Sequence, residues 1–133
     1  MIVADTNLLV YDSIEMIQSR LAKQWRQEEP VWCVPSLWQF EFTNAIMSNV
    51  RAGKIEQEAG VAIIIKAIAM YSVNEYGVDQ IDVYRVALRY RISTYDANYV
   101  VLAEMLGTVC VTGDQQMLER VPHLTRPLSS VVS

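Results

Sequence analysis

An α/β fold with a mainly parallel sheet is predicted by two observations on the chain and supported by a third. Short apolar runs of strand length (MIVA, VWCV, TVCVT) alternate with longer helix-length stretches. That alternation points to strand–helix–strand units rather than to an all-helical or all-strand domain. No repeat, low-complexity tract or linker-like segment interrupts it, so one domain is expected over residues 1–133. At 133 residues, 52% hydrophobic and 20% charged, the chain has the length and composition of a globular domain with a sizeable core.

Taken in order, residues 1–5 form a first strand. Ser13 is expected to cap a helix to about Glu28, with Ile14, Ile17, Leu21 and Trp25 on one face. Pro30 ends it, and VWCV at 31–34 is the second strand. Pro35-Ser36 opens a helix to about Arg51, closed by Gly53. The next helix runs from about Glu56 to Tyr71, and SVNEY at 72–76 is a third strand. Gly77 breaks the chain, and Asp79 caps a helix to about Tyr90. Thr94 begins another that ends at Gly107. TVCVT at 108–112 is the fourth strand, a short helix follows from Asp114, and Leu124–Val132 supplies an edge strand interrupted by Pro127.

Composition narrows the setting. The longest apolar stretch, VAIIIKAIAMY from Val61 to Tyr71, contains Lys66 and is too short to span a bilayer. No basic region precedes the first apolar residues, so no signal peptide is read, and a cytoplasmic location is expected. Cys33 and Cys110 lie inside β-like runs and read as small buried hydrophobes of a reducing compartment. A net charge of −4 argues at first against a nucleic-acid partner. Setting four acids aside as one site, however, leaves the 15 acids and 11 bases in balance.

Those four are Asp5, Glu41, Asp96 and Asp114. Asp5 closes the first strand, and Asp114 follows the fourth after Thr112-Gly113, so both reach the same sheet edge. Glu41 falls between Leu37 and Ala45 in the apolar arc of its helix, with Trp38 and Phe42. Asp96 sits in the first turn of its helix, on the face of Val100, Ala103 and Gly107. Each alone has an ordinary explanation. Asp5 and Asp114 suit turns or a helix cap, and Asp96 suits a helix N-terminus. Glu41 needs compensation inside an apolar stripe, from neutralisation or a buried Arg.

Convergence on one edge of a parallel sheet, where ligands bind beyond the strand carboxyl ends, favours a shared role. Carboxylates brought together repel and resist ionising together, and a divalent cation removes that conflict. Mg²⁺ takes oxygen ligands and often substrate phosphate, and a pair of ions can activate water for phosphoryl displacement. The lone His123, beside Pro122, argues against zinc and against a metal-free histidine mechanism. Metal-assisted phosphodiester hydrolysis is the chemistry these residues suggest.

MIVADTNLLVY, LWQFEFTNAI, STYDANYVVLAEMLG and TVCVTGDQQML, in that order and spacing, resemble the PIN-domain family from Met1 to about Leu118. The chain's length looks most like its VapC-type members, toxins of toxin–antitoxin pairs. The resemblance implies a PIN-like three-layer fold and a Mg²⁺- or Mn²⁺-dependent endoribonuclease using one or two ions. It places the family's acids on Asp5, Glu41, Asp96 and Asp114, with Thr6, Asn7 and Thr112 as supporting polar residues. Where many members carry another acid or Asn two places after the fourth acid, this chain has Gln116. The resemblance also implies an RNA substrate, a cognate antitoxin, a homodimer and no membrane association.

Other classes fit less well. A haloacid-dehalogenase-like, Mg²⁺-dependent phosphatase wants a second acid two places after the first, where this chain has Asn7. A phosphate-accepting receiver domain wants an aspartate ending a central strand, but VWCV runs into Pro35-Ser36. A PIN-type module that only binds RNA or protein would not need the complete acid set. Arg85, Arg89 and Arg91 read as a solvated helix face, and Trp25, Trp32 and Trp38 as core or interface residues.

Overall fold

The structure is a computed structural model and describes residues 1–132. Its centre is β1 (Ile2–Ala4), with β2 (Trp32–Pro35) on one side and β4 (Cys110–Thr112) on the other. Outside these lie β3 (Glu75–Tyr76) and β5 (Thr125–Pro127), giving a sheet ordered β3-β2-β1-β4-β5 in which every pairing is parallel. Register is set by Val3, which aligns with Cys33 of β2 and Cys110 of β4.

Among the described residues seven helices cover the sheet: α1 (Thr6–Ser13), α2 (Ser19–Glu28), α3 (Trp38–Arg51), α4 (Gln57–Tyr71), α5 (Gln80–Tyr90), α6 (Thr94–Leu106) and α7 (Gln115–Arg120). Side chains alternate across a strand, and the two halves of the core follow that alternation. Ile2, Ala4, Trp32, Val34 and Val111 face α1 to α4, where Leu8, Trp25, Phe42 and Tyr71 pack. Val3, Cys33 and Cys110 face α5 to α7, where Val83, Tyr99 and Met117 pack. A sheet apolar on both faces needs helices on both, which is the three-layer α/β architecture the sequence predicts. Both cysteines are buried and free.

Four boundaries differ from the sequence expectation. TNLLVYDS forms α1, and Ser13 ends that helix instead of capping the next, its hydroxyl donating to Leu9 O at 2.7 Å. The following helix starts only at Ser19 and buries Ser19, Ala22 and Trp25, which leaves Ile17 94% exposed outside it. Pro35 is the last residue of β2, and α3 begins at Trp38. The outer strands are short, because 3₁₀ turns at Ser72–Asn74 and Leu128–Ser130 take up the flanking residues. The strand order reverses at the centre: β2 and β3 lie to one side of β1, β4 and β5 to the other. The carboxyl ends of β1 and β4 therefore border the switch-point crevice, where open parallel sheets place ligands.

Candidate active site

Asp5 leaves β1 at that crevice, its backbone N–H still in the ladder to Val111 O at 3.1 Å. Its side chain turns back to cap α1, accepting the Thr6 N–H at 2.8 Å. Thr112, the last residue of β4, donates its hydroxyl to the other Asp5 oxygen. The same hydroxyl accepts the Asp114 N–H at 3.0 Å, so one buried threonine fixes the positions of two acids. Asp114 then caps α7 by accepting the Met117 N–H at 3.0 Å. Asn7 braces the same loop, its Oδ1 accepting the Gly113 N–H at 3.4 Å.

Glu41, half-buried in the first turn of α3, is oriented by two hydroxyls. Tyr99 on α6 donates to Glu41 Oε1 at 2.7 Å and Thr6 donates to the same oxygen at 3.0 Å. The two hydroxyls also lie 2.7 Å apart. Asp96 is half-buried in the first turn of α6, whose start is capped by Ser93 Oγ accepting the Asp96 N–H at 3.0 Å. An open groove of about 410 Å³, lined by Asp5, Thr6, Asn7, Glu41 and Asn44 among others, brings solvent to the first two acids.

The electrostatics of this edge are uncompensated. Asp5 is 7% exposed, and burial pushes its carboxyl up from an ordinary 3.8 to about 7. Hydrogen bonds from Thr112 and Thr6 oppose that rise, while the charges of Glu41 and Asp96 add to it. Asp96 is also raised, by burial first and then by Asp114 and Glu41, with Ser93 opposing. The ion pairs among the described residues join Met1 to Glu29, Lys23 to Glu15 and Arg26 to Asp12, and none includes one of the four acids.

Residues 2–124 match the family model described as PIN domain. The chain belongs to the PIN domain family. It is 29% identical over 94 residues to ribonuclease VapC3 of Pyrobaculum aerophilum, an alignment covering 66% of this chain and 70% of that protein. It is 28% identical over 97 residues to exonuclease VapC9 of the same organism, covering 73% of this chain and 72% of that one. The crystal structure of PAE2754 from Pyrobaculum aerophilum has the same fold, with a TM-score of 0.75 at 21% identity over 96% of this chain and 83% of that one.

In this PIN domain the four acids come from four elements, and Asp96 lies within electrostatic range of the other three. Among the described residues, no three acidic, histidine or cysteine side chains are close enough to share one ion. The donors are all oxygen: four carboxylates, the hydroxyls of Thr6 and Thr112, and the Asn7 amide. That set suits a hard divalent cation such as Mg²⁺ or Mn²⁺ rather than zinc. Gln116 is exposed on α7, with its side-chain amide 3.2 Å from the Arg120 guanidinium. Sequence reasoning missed Tyr99 and Ser93. Tyr99 stands three places after Asp96, on the same helix face, and that spacing is the signal that could have exposed it.

Proposed function

We propose that this PIN domain is a divalent-metal-dependent endoribonuclease and the toxin of a toxin–antitoxin pair. The observation that carries the reading is a buried Asp5 that pairs with no cation among the described residues, at the switch-point edge to which Glu41, Asp96 and Asp114 also belong. The similarity to ribonuclease VapC3 supports it.

A bound divalent ion would offset the acids' mutual repulsion and act as a Lewis acid toward the scissile phosphate. Asp5, Asp96, Asp114 and Glu41 are the residues that would hold one or two such ions. Thr112 and the Thr6 N–H keep Asp5 in one rotamer, so its position does not depend on the ligand. Glu41 Oε1 is occupied by Tyr99 and Thr6, while Oε2 has no hydrogen bond among the described residues. Oε2 is therefore the Glu41 oxygen left to face a bound ion or its water. In-line attack with departure of the 3′ oxygen leaves a 5′-phosphate and a 3′-hydroxyl.

The test is cleavage of a circular and a linear single-stranded RNA in Mg²⁺, in Mn²⁺ and in excess chelator. Cutting of the circle, metal dependence and 5′-phosphate ends are expected. Cleavage of linear RNA alone would instead match the activity named for exonuclease VapC9. A 2′,3′-cyclic phosphate product, or full activity in chelator, would overturn the metal reading. The toxin reading further implies a small antitoxin that sets a basic side chain among the acids, and a homodimer. Exposed Val61, Ile65 and Ile68 on α4 support a partner-facing surface. A monomer by light scattering at micromolar concentration would count against the dimer.

A further inference from the structure

Two large aromatic side chains stand in solvent on α3 and α6, the helices that carry two of the acids. Phe40 is 76% exposed and Tyr95 60% exposed, and each directly precedes an acid in sequence, Glu41 and Asp96. They line one groove of about 400 Å³, together with Ser36, Gln80, Thr94 and Asn98. That volume is in the range of sites for small organic ligands. Its polar wall is ordered: buried Asn98 donates to Thr94 O at 2.6 Å and accepts from Gln80 Nε2 at 3.2 Å. Gln80 Oε1 accepts no hydrogen bond among the described residues.

Charge decides what this groove can hold. Most nucleic-acid binding draws its affinity from Lys and Arg on phosphates. Here the chain carries −4, and no Lys or Arg lines either this groove or the one containing Asp5 and Glu41. Phosphates approaching this edge meet carboxylates, and an ion held by them would engage only the scissile phosphate, so in this groove the bases are the part of the substrate that can supply affinity. Stacking on aromatic rings provides it and needs no positive charge. Only unpaired bases can be splayed out in this way.

We propose that the groove between Phe40 and Tyr95 receives an unstacked nucleobase of single-stranded RNA, next to the phosphodiester presented to the acids. The Gln80–Asn98 amide pair lies against the edge of that base and gives the groove its base preference. The inference rests on the nuclease reading of the neighbouring acids and adds the means by which an acidic protein holds its substrate.

The probe is a short single-stranded RNA carrying 2-aminopurine at successive positions, since this base loses fluorescence when stacked. In an Asp5→Asn background, which prevents cutting, quenching is expected at one position, with weak dependence on salt. Phe40→Ala and Tyr95→Ala should each remove the quenching. In the otherwise native chain each should raise KM for RNA roughly five- to a hundredfold, the range a lost base stack implies. The effect on kcat should be smaller, and Phe40→Trp and Tyr95→Phe should restore KM. Both side chains are exposed, so unchanged melting temperatures will show that the variants fold.

Absence of quenching at every position, or an unchanged KM in both alanine variants, overturns the inference. So does loss of antitoxin binding with RNA affinity intact, which would assign the groove to a protein partner. If the native chain cuts no RNA while the quenching and its loss in both variants persist, the nuclease reading fails and the base-binding groove stands.

Discussion

Tyr99 carries little outward sign of its importance, being fully buried on a helix that continues in the apolar run Val100, Val101, Leu102 and Ala103. Burial, and then the nearby charges of Glu41 and Asp5, hold its hydroxyl well above the usual tyrosine range, so it stays protonated and remains a donor to Glu41. Tyr99→Phe keeps the ring and removes that donor, leaving Glu41 Oε1 to Thr6 alone. The expected result is a stability loss of about 0.5–1.5 kcal/mol. A fall in kcat should accompany it, with little change in KM for RNA, because the contact orients Glu41 without facing the groove of Phe40 and Tyr95. Equal kcat in both proteins would refute the positioning role. Asp5→Asn should abolish cleavage while far-ultraviolet circular dichroism stays native, since the amide still accepts one of the two hydrogen bonds that hold it. The acids themselves were legible in the sequence because Glu41 is out of place in an apolar arc and the other three, ordinary one by one, converge with it on one sheet edge. Tyr99 and Ser93 were not, because a tyrosine among apolar residues reads as packing and a serine before a helix reads as a cap, which Ser93 also is.

Helix α1 explains a different kind of miss. Leu8, Leu9 and Val10 are consecutive and all buried, because the helix is enclosed by the sheet, α2 and α3. A stripe with helical period appears only when one face meets solvent, so this segment gave no helix signal. What fixes α1 is its two ends: Asp5 caps the first turn, and Asp12 in the last turn enters a clamp joining four elements. Arg26 of α2 pairs with Asp12 at 2.7 Å and stacks 4.0 Å above the ring centre of Trp32 in β2. Tyr71 of α4 donates to the same Asp12 oxygen at 2.5 Å and lies parallel to Trp32. Arg26→Ala removes the charge and the planar group together and should cost about 1–3 kcal/mol. Arg26→Lys should recover only part of this, because an ammonium neither stacks on Trp32 as a flat group nor offers the guanidinium fork. Chemical denaturation of the three proteins checks it, and a lysine variant as stable as the native chain would show that charge alone matters.

At the level of the whole molecule, parallel topology was legible because strands buried on both faces have to be largely apolar, as β1, β2 and β4 are up to Thr112. The strand order was not legible, since local patterning does not say on which side of β1 the next strand lies. That order gathers the acids at one edge and makes the fold's stability depend on how their charge is met. Asp5 ionises near its ordinary 3.8 in an unfolded chain and at about 7 in the folded one, and Asp96 is raised as well. Between those values the native state holds protons that the unfolded state has released. Stability of the metal-free protein therefore falls as pH rises from about 4 to about 7, and the loss is complete above that window. For a site as buried as Asp5 the loss is on the order of 2–4 kcal/mol. Mg²⁺ binding to the ionised, folded cluster should reverse it, raising the melting temperature strongly above neutrality and little around pH 5, where protons compete for the same oxygens. Asp5→Asn cannot ionise at this position, so in chelator its stability should change less with pH, and Mg²⁺ should shift it less. Thermal melts of both proteins across this range, in chelator and in Mg²⁺, decide the matter. Native stability in chelator that rises toward neutral pH, or equal Mg²⁺ shifts in the two proteins, would mean that Asp5 belongs to no metal site and that its burial is offset by some other means.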